Sequence, residues 1–385
     1  MTPIQELDLT DVLVLDGGMA TELEKLGCDL SGPLWSARVL RDEPEKIAAV
    51  HAGYLSAGAD VILTASYQVS AEAYAEIGLS PEDAAADLRK SVRIAEDVRA
   101  QFARASSRKI LIAASLGPYG AALHNGAEYH GNYDISFDEL VSFHARRIAA
   151  LADTNADLLA FESVPSLDEA GAIVAALEQF PETAAWVTFT CRDESQTAHN
   201  EPIAQCATLL DSVPQIVAVG VNCTAPRFLT PLIRQIRSAT AKLIVVYPNS
   251  GEGWDAQTRS WTSAPIGTAD AASFGTLATE WRNAGAQIIG GCCRTGPDHV
   301  RALRKALSLQ SLQATKRPMS GNRNTWSSSP GRRAVLIETA GWAAAVLSPS
   351  ILCALAAGLV LGFLSTRKGK PPQQPPTYPG NTGPS

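Results

Sequence analysis

The chain has 385 residues, 39 acidic against 32 basic, for a formal net charge of −7, and is 46% hydrophobic. That length suits an α/β barrel with an extension, and an acidic balance with no basic cluster in the first 310 positions excludes a phosphate-backbone binder, so no nucleic-acid partner is expected. Cysteines at 28, 191, 206, 223, 292, 293 and 353 are odd in number and scattered, and no apolar signal segment opens the chain, so the barrel is expected in reducing cytoplasm.

Short apolar runs alternate with longer amphipathic stretches, the pattern of βα units around a parallel sheet. Strands are predicted at Val12–Gly18, Val61–Tyr67, Lys109–Gly117, Leu158–Ser163, Ala185–Cys191, Ile216–Cys223, Lys242–Asn249 and Gln287–Cys293. Helices are predicted at Glu45–Gly58, Pro81–Ala105, Phe137–Thr154, Ser166–Gln179, Arg227–Ser238, Ala271–Ala284 and Pro297–Leu309, several opened by Ser, Asp or Pro and closed by Gly or Asn. Eight strands predict a (β/α)8 TIM barrel over residues 1–310, whose active site lies at the C-terminal strand ends. A polar linker is expected at 311–333 and a Pro-rich disordered tail at 367–385. Between them, 334–366 contains the 25 charge-free residues Ala340–Leu364, which read either as a helix long enough to cross a bilayer and tail-anchor the barrel, or as a marginal hydrophobic tail or a mispredicted gene end.

Three thiols fall at strand ends. Gly290-Gly291-Cys292-Cys293 closes the last strand and Cys223 closes the sixth; in a barrel these strands are separated by one other, so residues 69 apart in sequence can meet. Adjacent cysteines reach disulfide geometry only with strain. Joint ligation of one soft metal ion is the functional reading, with three thiolates and one open position suiting a zinc ion that accepts a substrate sulfur; three buried structural cysteines is the alternative. Cys28, Cys191 and Cys206 have no partner at ligand spacing, and none of the histidines is assigned to the metal. The turn Asp16-Gly17-Gly18-Met19-Ala20-Thr21 leads into a helix and is either a tight βα connection or an anion site at a helix start. Glu162 ends an apolar strand, where a charge demands a partner: an arginine of the barrel or a substrate ammonium. Trp35 and Tyr67 are either core or rim aromatics, or a wall for a cationic methyl donor.

With these segments in place the chain resembles the homocysteine S-methyltransferase family, in its S-methylmethionine-dependent branch. The resemblance rests on Leu15–Glu24, Leu34–Ala37, Ala57–Gln68, Ala114–Gly120, Glu128–Gly131, Phe161–Pro165, Gly220–Cys223, Tyr247–Ser250 and Gly290–Arg294. It implies a (β/α)8 barrel, Zn2+ on Cys223, Cys292 and Cys293, a homocysteine-binding loop at Asp16–Thr21 and an amine-binding carboxylate at Glu162, with Ser163, Asn222, Trp35 and Tyr67 also counted as substrate-binding. It implies methyl transfer from a sulfonium donor to homocysteine, giving methionine; Ser163, where betaine-using relatives typically carry tyrosine, disfavours betaine. Other readings are S-adenosylmethionine as donor, a selenol or other thiol as acceptor, and a zinc-binding, membrane-tethered scaffold without turnover. Oligomeric state is left open.

Overall fold

Residues 12–30, 34–251, 253–255, 260–262 and 270–315 are described by the computed structural model. The apolar runs form β1 (Leu13–Val14), β2 (Val61–Leu63), β3 (Leu111–Leu116), β4 (Leu158–Val164), β5 (Ala185–Phe189), β6 (Ile216–Asn222), β7 (Leu243–Tyr247) and β10 (Ile288–Ile289), with a hairpin of β8 (Gly253–Asp255) and β9 (Ser260–Thr262) between the last two. The eight-stranded parallel sheet runs β1-β10-β7-β6-β5-β4-β3-β2. Its edges meet through a Leu15–Val61 bridge; Asp16 N donates to Val61 O at 3.1 Å and Asp60 N to Val14 O at 2.7 Å. Asp60 reinforces this seam, its carboxylate accepting from Val14 N at 3.0 Å and from Arg304 of the last helix.

The two-residue alternation of each strand divides the core. Leu111, Ala113, Leu158, Ala160, Trp186, Val245, Tyr247 and Ile288 fill the lumen, while Ile112, Ala114, Leu116, Leu159 and Phe161 pack outward on the helical layer. Burying side chains such as Trp186 and Phe161 contributes about 25 cal/mol per Å² of apolar surface. Helices begin where the sequence supplies caps: Ser80 and Asp83 form a capping box before Pro81–Ala103, Ser136 and Glu139 another before Phe137–Leu151, and Ser166 and Asp270 cap Leu167–Leu177 and Ala271–Ala284.

The structure adds elements that the sequence pattern does not show. Helix Ile203–Asp211, between β5 and β6, starts after Pro202 without a side-chain cap, so its opening signal is absent. The last helix runs Pro297–Thr315, beyond the expected boundary at 310, through the helix-forming residues Leu309–Ala314. The strands are shorter than expected except β4, which runs one residue further, to Val164. Among the described residues no helix is long and apolar enough to cross a membrane; the apolar segment 334–366 and the tail 367–385 lie outside the described residues, as does all but the start of the expected linker.

Candidate functional site

Continuing the inward rows one step past the apolar layers places polar residues together at the C-terminal mouth. Ser115 follows Leu111 and Ala113, Glu162 follows Leu158 and Ala160, Thr188 follows Trp186, Asn222 follows Ala218, and Tyr247 follows Val245. They form a connected layer. Ser115 Oγ donates to Glu162 Oε1, Tyr247 hydrogen-bonds the same carboxylate, and Thr188 Oγ1 bridges Tyr247 Oη and Asn222 Oδ1, at 2.8 Å each. Asn222 also accepts from Ser163 N at 2.6 Å and donates to Ser163 Oγ at 2.8 Å. That grip holds Ser163 at φ +58°, a costly conformation for a non-glycine residue, where the β4–β5 register shifts between Phe161 and Val164.

Above this layer the three predicted thiols converge. Cys223 follows β6 with φ +48°; Cys292 and Cys293 follow β10. Cys223 Sγ lies 3.8 Å from Cys293 Sγ, Cys292 Sγ lies 3.9 Å from Cys293 Sγ, and all three fall within 4.8 Å of one another. These are not disulfide distances. Gly291 permits the approach: a Cβ there would sit 2.3 Å from Thr295 Oγ1, while Gly291 N bonds Asp16 O at 2.9 Å and Cys292 N bonds Pro248 O at 2.7 Å. Hydrogen bonding from Cys292 and Cys293 pulls the Cys223 thiol well below its ordinary range, and the contact with Cys223 pushes the Cys292 and Cys293 thiols up. A divalent metal would remove this asymmetry by favouring thiolate at all three.

The cavity over the thiols measures about 800 Å³ and is lined by every residue of Asp16–Thr21 together with Trp35, Tyr67, Glu162, Ser163, Asn222 and the three cysteines. The structure thus brings together all the sequence-predicted site residues, but it redistributes work within the Asp16–Thr21 turn. Gly18 N is already committed, donating to Thr295 O at 3.0 Å, so this glycine serves close packing. The leading amides of helix Met19–Lys25 keep no intrahelical acceptor. Asp16 Oδ2 accepts from Leu63 N at 2.8 Å, and Oδ1 is buried without a partner. Burial raises the Asp16 carboxyl well above the ordinary range, with neighbouring Glu162 adding to the effect; burial likewise pushes Glu162 up to about 7. Asp16 and Glu162 are thus two buried carboxyls within electrostatic reach of one another, and a cation between them would favour both in ionised form.

The segment after β3 supplies what the sequence reading left out of the site. Its helix Tyr119–Ala122 and turn Ala127–Tyr129 bring His124, Asn125, Glu128 and Tyr129 to the cavity. Tyr129 Oη lies 3.8 Å from Cys223 Sγ, and burial pushes Glu128 up to about 7. Fully buried Glu169 anchors the segment at both ends, accepting from Tyr119 N at 2.6 Å and from Tyr133 Oη, with His144 Nε2 at 3.1 Å. Arg147 donates to Gly117 O at 2.6 Å and Tyr67 O at 3.0 Å. Two further aromatics lie outside the cavity lining: Phe161 packs outward against His144, and Tyr119 meets Tyr133 and Phe143 edge-on. The Glu128-Tyr129 pair is visible in the sequence, but no periodicity marks it as facing the pocket.

The family profile "Homocysteine S-methyltransferase" matches residues 13–307. "Homocysteine S-methyltransferase YbgG" of Bacillus subtilis is 47% identical over 321 residues, 82% of this chain and 100% of the relative; "Homocysteine S-methyltransferase 4" of Zea mays is 45% identical over 76% of this chain and 89% of the relative. The crystal structure of the homocysteine methyltransferase MmuM from Escherichia coli superposes with a TM-score of 0.70 in its oxidized form, at 38% identity over 79% of this chain and 98% of that one. Its metallated form gives a TM-score of 0.69, at 38% identity over 78% of this chain and 97% of that one. The thiol-bearing barrel described here therefore belongs to the homocysteine S-methyltransferase family.

Proposed function

We propose that this barrel transfers a methyl group from a sulfonium donor, S-methylmethionine or S-adenosylmethionine, to the sulfur of homocysteine held at a zinc ion, giving methionine. The observation that carries the reading is the spacing of Cys223, Cys292 and Cys293. A tetrahedral zinc with Zn–S bonds of about 2.3 Å separates its sulfur ligands by about 3.8 Å, and the sulfurs here stand 3.8 and 3.9 Å apart across two of their three pairs. Three thiolates leave one coordination position for a substrate sulfur. Zinc, when bound, supplies the Lewis acidity that keeps a thiol deprotonated at neutral pH.

The chain's own groups do the rest. Glu162 and Asp16 receive the homocysteine ammonium: both are buried and within electrostatic reach of one another, and Asp16 Oδ1 is an unused acceptor. This assigns the Asp16 side chain to the ammonium, whereas the substrate carboxylate goes to the leading amides of Met19–Thr21, where helix geometry leaves N–H donors. Asn222 positions Ser163 and the end of β4, hence Glu162. The homocysteine thiolate attacks the donor methyl carbon as the methyl–sulfonium bond breaks; its electron pair stays on the departing sulfur, which becomes a neutral thioether. Aromatic faces of Trp35 and Tyr67 favour the cationic donor over the neutral product. Alignment of the two sulfurs and the carbon contributes through proximity. Methionine formation from homocysteine and S-methylmethionine by purified protein of known zinc content tests this; a metal-loaded protein inert with both sulfonium donors defeats it.

The charge-free stretch Ala340–Leu364, followed by Arg367, Lys368 and Lys370, supports a separable second reading, in which the C-terminal segment anchors the barrel to a membrane.

A further inference from the structure

The segment Tyr119–Tyr133 carries a carboxylate for which the reading above has no use. Glu128 Oε2 is buried in the same cavity and has no hydrogen-bond partner. Its position is built rather than incidental: the turn folds back so closely that a Cβ on Gly120 would lie 2.4 Å from Glu128 N, and Glu169 clamps both ends of the segment. An unsatisfied buried acceptor is costly, and a carboxylate oxygen accepts only from N–H or O–H. A sulfonium offers neither. An ammonium offers three N–H donors and the compensating charge.

Asp16 and Glu162 interact electrostatically, and Glu128 is a third carboxylate of the same cavity, near Cys223, Tyr67 and Tyr129. In-line transfer needs two amino-acid-sized ligands in one cavity, the acceptor sulfur at the thiol cluster and the leaving sulfur on the far side of the methyl carbon. With the first ammonium assigned to Asp16 and Glu162, a second carboxylate with a free buried oxygen fits a second ammonium. We propose that Glu128 binds the α-ammonium of the methyl donor and so selects sulfonium amino acids over sulfonium compounds that lack an amino group. This rests on the methyl-transfer reading and deepens it by assigning the residue that chooses the donor.

The test compares wild type with Glu128→Gln, which keeps the shape and removes the charge. Two donors are used: S-methylmethionine, and dimethylsulfoniopropionate, which has the sulfonium and carboxylate but no ammonium; the latter is measured as a substrate or, if not turned over, as a competitive inhibitor against S-methylmethionine. The expected result is that kcat/KM for S-methylmethionine falls about ten-fold or more, while the constant for dimethylsulfoniopropionate, the homocysteine KM and the zinc content stay unchanged. Glu128→Asp, with the charge retained but withdrawn, should lose a smaller part of the same preference, and it serves as the test variant if the Gln protein does not fold. An unchanged S-methylmethionine constant, an equal fall for both donors, or a shift confined to homocysteine overturns the assignment. A wild type inactive with every sulfonium donor instead overturns the methyl-transfer reading itself, and this assignment with it.

Discussion

Replacing Glu162 by Gln should make the metal-free protein more stable and the enzyme worse. The side chain is 6% exposed, and burial raises its carboxyl from an ordinary 4.5 to about 7. A carboxyl whose folded-state pKa lies above its unfolded value favours folding in its protonated form; that contribution is complete below 4.5 and is lost as pH rises through 7. The ionised group therefore costs about 3 kcal/mol at pH 8 and under about 1 kcal/mol at pH 5, taking about 1.4 kcal/mol per pKa unit. Glutamine keeps the oxygen that accepts from Ser115 and removes the charge. The apparent Tm of apo Glu162→Gln should exceed wild type by several degrees at pH 8, at about 2 °C or more per kcal/mol, with little difference at pH 5. Losing the partner of a desolvated ammonium should raise the homocysteine KM or lower kcat/KM about 30-fold. Calorimetry at the two pH values and initial-rate kinetics read both effects. A Glu162→Gln protein less stable than wild type at pH 8, or one with unaltered homocysteine dependence, would refute the placement of a buried, ammonium-binding charge.

Asn222→Ala removes the groups that hold Ser163 in its left-handed conformation and leaves Thr188 short of an acceptor; a loss of about 1–3 kcal/mol in stability and a fall in kcat/KM with zinc retained are expected, whereas unchanged kinetics would show that Ser163 needs no such support. Glu169→Gln weakens the clamp on Tyr119 and Tyr133 far from the thiols, so methyl transfer should slow with metal content constant and protease sensitivity increased within 119–133; an unaltered digestion pattern would contradict the clamp. Carbonate extraction of membranes carrying the full chain, compared with a version truncated after Thr315, should leave only the full chain in the membrane pellet. Finding both wholly in the supernatant would remove the anchor.

Much of the site can be read from sequence because barrel geometry collects strand ends. Cys223 and Cys292-Cys293 each terminate an apolar run, and strand order alone makes β6 and β10 near neighbours around β7. Glu162 stands out as a charge completing the inward row Leu158, Ala160. The finer roles depend on contacts that no local pattern encodes. Gly18 N is spent on Thr295, 277 residues away, which removes it as a ligand donor, and Asp16 turns out to interact electrostatically with Glu162. Glu128 and Tyr129 lie in a short irregular segment whose inward aim is set by Glu169 on a helix following the next strand. Helix Ile203–Asp211 carries no side-chain cap and no helix is expected there from sequence, and the short helix Ala71–Ala75, although capped by Ser70, has only five residues to show a period.

The zinc content of the purified chain, measured alongside methionine formation from homocysteine and S-methylmethionine, tests the central claim most directly. One zinc per chain is expected, with turnover lost on chelation and restored by zinc, and with both metal and activity lost in Cys223→Ser, Cys292→Ser and Cys293→Ser proteins that still fold. Full turnover by a metal-free protein, or by Cys292→Ser with its metal retained, would contradict it.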